Sequence, residues 1–360
     1  MKKIYALAFL LIAIVGFAQP PANYYNSATG TGYALKTQLY NIIKGHTDKG
    51  YAGLYVTYTT SDKDFFYEND GTMLDMYSEN PTGPECSFTY GVNQDDGTLG
   101  NNECERYNRE HLIPQSVFGS ATPMYSDAHF VVPSDKHVNG VRNNFPFGRV
   151  ATASYTSTNG SKLGSNLNSG YSAGYSSTVF EPIDEFKGDI ARMILYFATR
   201  YENNVAGYSF AMFNGTSTQV FTDTFKNILL TWNAQDPVSA REIARNNAVY
   251  ARQNNRNPYI DNNSYVTTIW GSAPLAIDTF EMLASVSVYP NPSHDQKINI
   301  ESSVTLDDIQ LISINGQIIQ QIKNPVIQNN IYVLENLPEG FYFLKLSSNN
   351  QSVTKKVIIN

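Results

Sequence analysis

The chain has 360 residues, of which 42% are hydrophobic and 16% are charged. This length allows more than one domain, and this composition argues against a chain without a packed core. The formal net charge is −7, which is unexpected for a protein that binds nucleic acid, because phosphate binding usually requires a basic surface. A function of that class would need a local cluster of basic residues.

Residues 1–18 have the pattern of a signal peptide. Two lysines follow Met1, an apolar run covers residues 4–17, and the small residues Gly16 and Ala18 suit cleavage after Ala18. The alternative is a membrane span, which needs about 20 apolar residues. We therefore predict export, with no stable insertion into a membrane.

The next segments predict one helix and then a long stretch of loops. Residues 20–45 start with a Pro-, Asn-, Ser- and Gly-rich stretch. A helix is expected after it, with an apolar face formed by Leu35, Leu39, Ile42 and Ile43. Residues 50–105 are rich in turn sequences. They include Cys86 and Cys104, which we expect to pair after export, with two free thiols as the alternative.

Reactive side chains are concentrated in residues 107–145. Glu110 and His111 are adjacent there, and Pro114 follows them closely. Adjacent residues of a strand point to opposite faces, so these two converge only where the strand ends or bends. Pro114 favours a strand end. A strand that ends near His111 is therefore expected.

A short helix is expected after a second strand. Ser134 is predicted to cap a helix over residues 135–143, from which Asn139 would project. Two strands and a helix around a single ion would bring Asn139 close to Glu110. This arrangement predicts one small polar site.

The residue types of this site suit the hydrolysis of a phosphodiester. The unperturbed pKa of histidine lies near neutrality, so His111 can act as a base. Glu110 and Asn139 offer the oxygen ligands that Mg²⁺ prefers. Nearby arginines can bind the phosphate.

Other polar residues of the segment have plainer interpretations. His129 is expected to support the structure, by orienting its loop through Asp127. Asn143 and Asn144 could simply cap the helix. No role is assigned to the remaining histidines, which are His46, His137 and His294.

A loop and two helices are predicted downstream. Residues 151–178 have low charge and many Ser, Gly, Asn and Tyr, so a surface loop is expected. A helix over residues 187–201 has one apolar face. A second helix, over residues 237–254, is expected to have Asp236 as its N-cap.

The second of these helices carries a candidate basic stripe. If the helix continues far enough, four arginines fall on one side of it, within about 60° of one another. The alternative is a solvated face on which Glu242 is a local partner. We favour phosphate binding by this stripe, which consists of Arg241, Arg245, Arg252 and Arg256.

The sequence changes character near residue 284. After an expected linker over residues 276–285, short alternating strands follow, and Asn315-Gly316 separates two of them as a hairpin turn. A small β-sandwich without a catalytic constellation is predicted for residues 286–360.

The reactive segment resembles the endonuclease I family of secreted and periplasmic nucleases. The resemblance rests on Arg109-Glu110-His111, Asp127-Ala128-His129 and the Asn139 to Phe145 segment, and it continues in Lys187–Arg192, Trp232–Val238 and Arg256–Asp261. It covers roughly residues 30 to 270. It implies an α+β fold with a ββα-metal catalytic domain, here residues 19–275. His111 would be the general base, and Glu110 and Asn139 would bind one Mg²⁺, Mn²⁺ or Ca²⁺.

The chain departs from the family in two respects. Periplasmic members have several disulfides, and this chain can have one. They also have a phosphate-binding arginine between the two histidine motifs, whereas residues 112–128 contain none. Arg142 is the expected catalytic substitute, with Arg149 or the arginine stripe as alternatives and Arg109 as a further contact to the nucleic acid. Asn144 is given a supporting role.

Residues 286–360 resemble the type A sorting domain of the type IX secretion system. The features are Tyr289-Pro290-Asn291-Pro292, the strand at Gly340-Phe341-Tyr342 and the ending Lys355–Asn360. The resemblance implies the type IX machinery as a partner and a final location outside the cell or at its surface.

The leading hypothesis is an endonuclease of little sequence specificity that acts on DNA and, as a second substrate, RNA. A member of the same family that prefers RNA is the close alternative. A non-catalytic surface binding module is the more distant one. We expect a monomer.

Overall fold

The computed structural model describes residues 20–272, 286–302, 304–326, 330–348 and 351–360. The expected signal peptide over residues 1–18 and the expected linker over residues 276–285 lie outside these residues. The chain divides into two compact units, each of which is described separately. No helix of the described ranges is long and apolar enough to cross a membrane.

The first unit combines helices with short strands, as expected for an α+β domain. Its helices are α1 Gly32–Ile43, α2 Gly53–Ser61, α3 Lys136–Arg142, α4 Lys187–Arg200, α5 Glu202–Val205, α6 Asp223–Gln235, α7 Ala240–Gln253, α8 Pro258–Asp261 and α9 Ser264–Trp270. Its strands are β1 Tyr107–His111, β2 Val131–Asp135, β3 Val150–Thr156, β4 Lys162–Asn166 and β5 Thr178–Glu181.

Helix α4 is the centre of this unit. All of its side chains are buried, and it packs against α1, α6 and α8. The sequence indicates one apolar face, whereas the structure buries the polar face as well. The polar face can be buried because its charged residues meet opposite charges: Arg192 forms hydrogen bonds of 2.6 and 2.7 Å to the two carboxylate oxygens of Glu242.

Helix α7 starts three residues later than predicted. Its N-cap is Ser239, whose side chain accepts from the backbone N–H of Glu242 while Glu242 accepts from that of Ser239. This reciprocal pair satisfies two N–H groups that the helix itself leaves unpaired. Asp236, the predicted cap, instead ends α6.

Two segments predicted as loops contain regular structure. Residues 151–178 hold most of a three-stranded antiparallel sheet in the order β3-β4-β5. The strands β3 and β4 approach so closely that a Cβ on Gly164 would lie 2.1 Å from the carbonyl oxygen of Thr152. Because β3 is largely exposed, its side chains are mostly small or polar, and the sequence pattern did not indicate a strand. Helix α2 was likewise not predicted.

Residues 62–105 remain mostly irregular and are held by a few cross-links. Met73 forms isolated bridges with Lys63 and with Phe88. Cys86 and Cys104 are joined in a disulfide. These links fix a long loop next to β1.

The strands β1 and β2 and the helix α3 form a continuous ββα unit. The strands are antiparallel, with Glu110 opposite Val132 and His111 opposite Val131. The cap of α3 is Asp135, which accepts from two backbone N–H groups of the first turn. Ser134, the predicted cap, lies one residue earlier, inside β2.

The second unit is all-β. Its strands are β6 Ser287–Tyr289, β7 Ile298–Glu301, β8 Asp308–Ser313, β9 Ile318–Lys323, β10 Ile331–Leu334, β11 Gly340–Ser348 and β12 Gln351–Ile359. They form a three-stranded sheet in the order β10-β7-β6 and a four-stranded sheet in the order β12-β11-β8-β9. The strands β8 and β9 are antiparallel partners around Asn315-Gly316, as predicted. An apolar cluster that includes Ile298, Ile309 and Leu344 forms the core.

Candidate active site

A polar cleft of about 210 Å³ opens beside the ββα unit. It is lined by Tyr51, Asn108, Arg109, Glu110, His111, Pro114, Gln115, Asn139, Arg142, Asn143 and Asn144. The strand β1 ends at His111, so Glu110 and His111 line the same cleft although they are adjacent in sequence. The predicted strand end is present.

Glu110 is held firmly in the wall of the cleft. Its side chain is 3% exposed. Oε1 accepts hydrogen bonds from the hydroxyl of Tyr77 at 2.9 Å and from Nη1 of Arg142 at 2.8 Å. Burial raises the pKa of this carboxyl, and Arg142 and Tyr77 oppose the shift. Both side-chain bonds fall on Oε1, which leaves Oε2 for a ligand.

The ring of His111 is fixed by a backbone carbonyl. Its Nε2 lies 3.1 Å from the carbonyl oxygen of Tyr125. A carbonyl oxygen only accepts, so Nε2 carries the hydrogen and Nδ1 is the basic nitrogen. The ring stacks on that of Tyr125 at 5.4 Å. Burial lowers the pKa of His111 to about 4, and Arg109 and Arg142 lower it further, while the Tyr125 carbonyl opposes them.

Asn139 reaches the cleft from α3. Its Nδ2 donates to Oδ1 of Asn108 at 2.7 Å and to the carbonyl oxygen of Arg109 at 3.4 Å. The amide oxygen Oδ1 is therefore the atom that can bind a ligand. The helix is itself anchored, since the N–H of its cap Asp135 donates to Asp75 at 2.6 Å.

The donor atoms of Glu110 and Asn139 fit a hard divalent cation. Both residues offer oxygen, one of them a buried carboxylate. Among the residues that the structure describes, neither a thiolate nor a second imidazole lines the cleft. Oxygen donors of this kind suit Mg²⁺, Mn²⁺ or Ca²⁺ rather than a softer metal.

Arg109 provides positive charge at the cleft. Its guanidinium lies 3.5 Å from the centre of the Tyr51 ring and 4.2 Å from that of Tyr55. Nη1 donates to the carbonyl oxygen of Tyr51 at 3.1 Å. The Tyr51 ring stacks in turn on that of Tyr125 at 4.0 Å. Arg109 is thus preorganised by aromatic contacts.

Comparison with known proteins identifies the family. Residues 31–264 match the Endonuclease I family. The chain belongs to this family. It is 31% identical over 277 residues to the extracellular ribonuclease of Bacillus subtilis (strain 168), an alignment that covers 72% of this chain and 83% of the relative. The extracellular ribonuclease of Bacillus amyloliquefaciens is 32% identical over 265 residues, with 72% of this chain and 81% of the relative covered.

The C-terminal unit also belongs to a known class. Residues 287–360 match the secretion system C-terminal sorting domain, the class expected for the type IX pathway. The nuclease is therefore exported and resides at the cell surface or outside the cell.

Arg142, which was predicted as a catalytic cation, is enclosed in the wall of the cleft of this nuclease. Its guanidinium is 1% exposed and donates to Glu110, to the carbonyl of His111 and to that of Leu112. These bonds all lie within the protein. Arg142 thus positions the end of β1 and the Glu110 carboxylate, and its Nη1 and Nη2 are both engaged by these internal partners.

The predicted arginine stripe does not form a basic surface. Arg241, Arg245 and Arg256 are buried, and each pairs with a carboxylate, namely Asp189, Asp62 and Asp261 respectively. Helical spacing shows which residues share a face, but it does not show what that face packs against. The acidic partners of Arg241 and Arg245 come from distant parts of the sequence. The fourth residue, Arg252, donates to the hydroxyl of Thr57 at 3.4 Å.

His129 and Asp127 lie in a buried network behind the cleft. The Asp127 carboxylate accepts from the hydroxyls of Tyr196 and Tyr201 and from the backbone N–H of His129. The ring of His129 contacts the carbonyl of Asn255 through Nε2 at 2.9 Å. His129 therefore contacts Asp127 through its backbone N–H, while its ring contacts Asn255. Asn144 is exposed and lines the cleft, and it follows Asn143, the C-cap of α3.

Sequence reasoning missed the tyrosines that hold the site. Tyr51, Tyr77 and Tyr125 come from segments before and after β1, and each contacts a cleft residue. The chain has 25 tyrosines, and nothing in the local sequence marks these three. Only the fold brings them to Arg109, Glu110 and His111.

Proposed function

We propose that the protein is a secreted, divalent-metal-dependent endonuclease that hydrolyses phosphodiester bonds of DNA, and also of RNA, with little sequence preference. The observation that carries the proposal is the contact of His111 Nε2 with the Tyr125 carbonyl, which leaves Nδ1 as the base, beside the oxygen donors of Glu110 and Asn139 in one cleft. A base and a cation site at one phosphate are the requirements of hydrolytic cleavage.

His111 acts as the general base of the reaction. Its Nε2–H donates to the Tyr125 carbonyl, so Nδ1 accepts the proton of the attacking water. The bond to Tyr125 keeps the ring from rotating and stabilises the imidazolium that forms, because the carbonyl dipole points at the protonated ring. The water then attacks phosphorus in line with the departing 3′ oxygen.

Glu110 and Asn139 would hold the cation. A Mg²⁺ ion bound there would act as a Lewis acid on the phosphate oxygens and the leaving oxygen. The residues around these two keep them in place. Arg142 and Tyr77 fix the Glu110 carboxylate, and Asn108 fixes the Asn139 amide.

Arg109 contacts the phosphate in place of the arginine that the family has between its two histidine motifs. It is the arginine of the cleft wall that is half-buried rather than enclosed by carboxylates and carbonyls. Its stacking on Tyr51 fixes the guanidinium plane at a low cost in side-chain entropy. A preorganised guanidinium in the cleft allows a chain of negative net charge to bind a phosphate at that position.

A preference for RNA is the second candidate. Two relatives that cover most of this chain are named extracellular ribonucleases. The described cleft contacts offer no feature that would reject a 2′-hydroxyl or require one. We therefore keep DNA and RNA as substrates of one site.

The test is the digestion of plasmid DNA and of single-stranded RNA by the exported chain, with Mg²⁺ and with EDTA. The matched variants are His111→Ala and His137→Ala, since His137 lies on α3 but does not line the cleft. We expect cleavage of both substrates with Mg²⁺, none with EDTA, and a loss of at least 100-fold, as an order of magnitude, in His111→Ala alone.

Cleavage that continues in EDTA would refute the metal-dependent mechanism. Parental rates in His111→Ala would remove His111 as the base. Cleavage of RNA only would establish the second candidate.

A further inference from the structure

Three carboxylates meet outside the catalytic cleft. One oxygen each of Asp64, Glu68 and Glu79 lies within 4.8 Å of the other two. Asp64 follows the end of α2, Glu68 lies in the next turn, and Glu79 comes from the segment that precedes the disulfide loop. None of the three lines the cleft.

Glu79 is the residue that requires a partner. Its side chain is 0% exposed, and when Glu79 and Glu85 are both ionised, neither carboxylate oxygen of Glu79 has a hydrogen-bond donor among the described residues. An isolated buried carboxylate is costly, so such a group is neutralised by a proton or by a cation. Asp64 is also fully buried, but its oxygens accept from backbone N–H groups, among them that of Asn69 at 2.7 Å.

The surroundings of Glu79 are acidic. Burial raises its pKa well above the usual range, a side-chain hydrogen bond to Glu85 raises it further, and the charges of Glu85, Glu68 and Asp64 act in the same direction. Glu85 also has a buried oxygen without a donor in the described part of the chain. Because both groups are carboxyls, a hydrogen bond joins them only while Glu79 or Glu85 holds a proton, and a bound cation would replace that proton. The charges that act most strongly on Glu79 are thus all of one sign.

We propose that Asp64, Glu68 and Glu79 bind a second divalent cation, Ca²⁺ by preference, at a site separate from the catalytic cleft. All of the donors are carboxylate oxygens, which excludes a preference for a soft metal. Ca²⁺ accepts six to eight oxygens in flexible geometry, and water can complete a set of three carboxylates. Mg²⁺ demands near-ideal octahedral geometry and retains its water more strongly.

The cation would stabilise the support of the catalytic cleft. Glu79 ends a short segment in which Tyr77 donates to Glu110 and Asp75 accepts from the N–H of Asp135. The carbonyl of Glu79 is also bound by Asn159 at 3.0 Å. A cation on Glu79 would therefore hold in place the segment that contains Asp75 and Tyr77. The proposed hydrolysis takes place in the cleft, at a separate site.

The test compares the exported chain with three variants after removal of metal. Glu79→Gln and Glu68→Gln each replace a charged carboxylate ligand with a neutral amide, which weakens the binding of Ca²⁺, and Asp70→Asn removes a nearby exposed acid that is outside the three. Bound Ca²⁺ is counted by equilibrium dialysis, and the melting temperature is followed as Ca²⁺ rises to about 10 mM, above the affinity range of extracellular sites.

We expect the parent and Asp70→Asn to bind one more Ca²⁺ than the two ligand variants. Their melting temperature should rise by about 5 °C or more, while that of the ligand variants rises less. Plasmid cleavage by Glu68→Gln in saturating Mg²⁺ should equal that of the parent below the melting range, since Glu68 lies outside the cleft. This last readout separates the second site from the catalytic one.

Equal Ca²⁺ stoichiometry in the parent and Glu68→Gln would overturn the proposal. So would a Glu79→Gln variant that melts higher than the parent at every Ca²⁺ concentration, because that result shows a site occupied by a proton alone. Glu68 is exposed, so its variant keeps the test valid if Glu79→Gln does not fold.

Discussion

Arg142 holds Glu110 through a 2.8 Å ion pair in which both side chains are almost completely buried. The pair joins the last turn of α3 to the end of β1, and Arg142 also binds the carbonyls of the two residues after Glu110. A buried ion pair adds little net stability, but the loss of one partner leaves the other charge unpaired. The pair therefore connects the geometry of the proposed cation site to the integrity of the ββα unit.

Replacing Arg142 should lower the stability of the fold and raise the Mg²⁺ concentration that cleavage requires. For Arg142→Met we expect a loss of about 3–5 kcal/mol in the free energy of unfolding. The Mg²⁺ concentration for half-maximal cleavage should rise roughly 10- to 100-fold, because the Glu110 carboxylate loses its orientation. Urea unfolding and Mg²⁺ titration of plasmid cleavage measure these effects, with Arg252→Met as the control. A variant of normal Mg²⁺ dependence but weakened substrate binding would restore Arg142 as a phosphate contact.

Arg109 should contribute to substrate binding rather than to folding. We expect Arg109→Ala to lower kcat/KM on plasmid roughly 10- to 100-fold, since hydrogen bonds to charged groups are worth about 1.5–3 kcal/mol. Arg109→Lys should recover part of this loss, because it keeps the charge but not the planar stacking on Tyr51. The neighbouring Arg106→Ala serves as the control, since Arg106 pairs with Asp96 and does not line the cleft. Equal effects of the two alanine variants would contradict a specific contact.

The buried arginines of α7 should contribute to the free energy of unfolding and not to the affinity for nucleic acid. Arg241 is buried against Asp189, which also pairs with Arg192. Arg241→Met removes one of these two charged hydrogen bonds and should cost about 1.5–3 kcal/mol. The binding of nucleic acid by the variant, measured at a temperature where it is folded, should match that of the parent in affinity and in salt dependence. A smaller salt dependence with unchanged stability would revive the surface stripe.

The buried His129 should make the fold sensitive to acid. Burial lowers the pKa of His129 to about 4, although Asp127 opposes the shift, while an unfolded histidine titrates near about 6.5. Between these values the unfolded state binds more protons, so the contribution of His129 is complete above about pH 6.5 and is lost as the pH falls towards about 4. The full contribution is about 3 kcal/mol.

The measurement is urea unfolding of the parent, His129→Gln and His137→Gln between pH 7 and 4.5. His129→Gln should be less stable at neutral pH but should lose less stability on acidification than the parent. The His137→Gln control should keep the parental slope. Parallel slopes for the parent and His129→Gln would show that His129 is not the acid-sensitive group.

Several features were predictable because they depend on neighbours in sequence. The end of β1 at His111, the short helix that carries Asn139 and the hairpin at Asn315-Gly316 all follow local rules. The predicted cap of α3 was one residue too early, and the predicted cap of α7 was three residues too early. These errors arise because Asp, Ser and Pro each suit a helix start, and the choice depends on which backbone groups are accessible in the fold.

The sequence by itself determined the kinds of chemistry present: one imidazole beside a carboxylate, an amide on a short helix, and a separate all-β unit. Tertiary structure decided which groups work together. It buried Arg241 and Arg245 against Asp189 and Asp62, and it brought distant tyrosines to the cleft. Periodicity and capping are properties of short segments, whereas the partner of a charge depends on packing between segments that the chain separates widely.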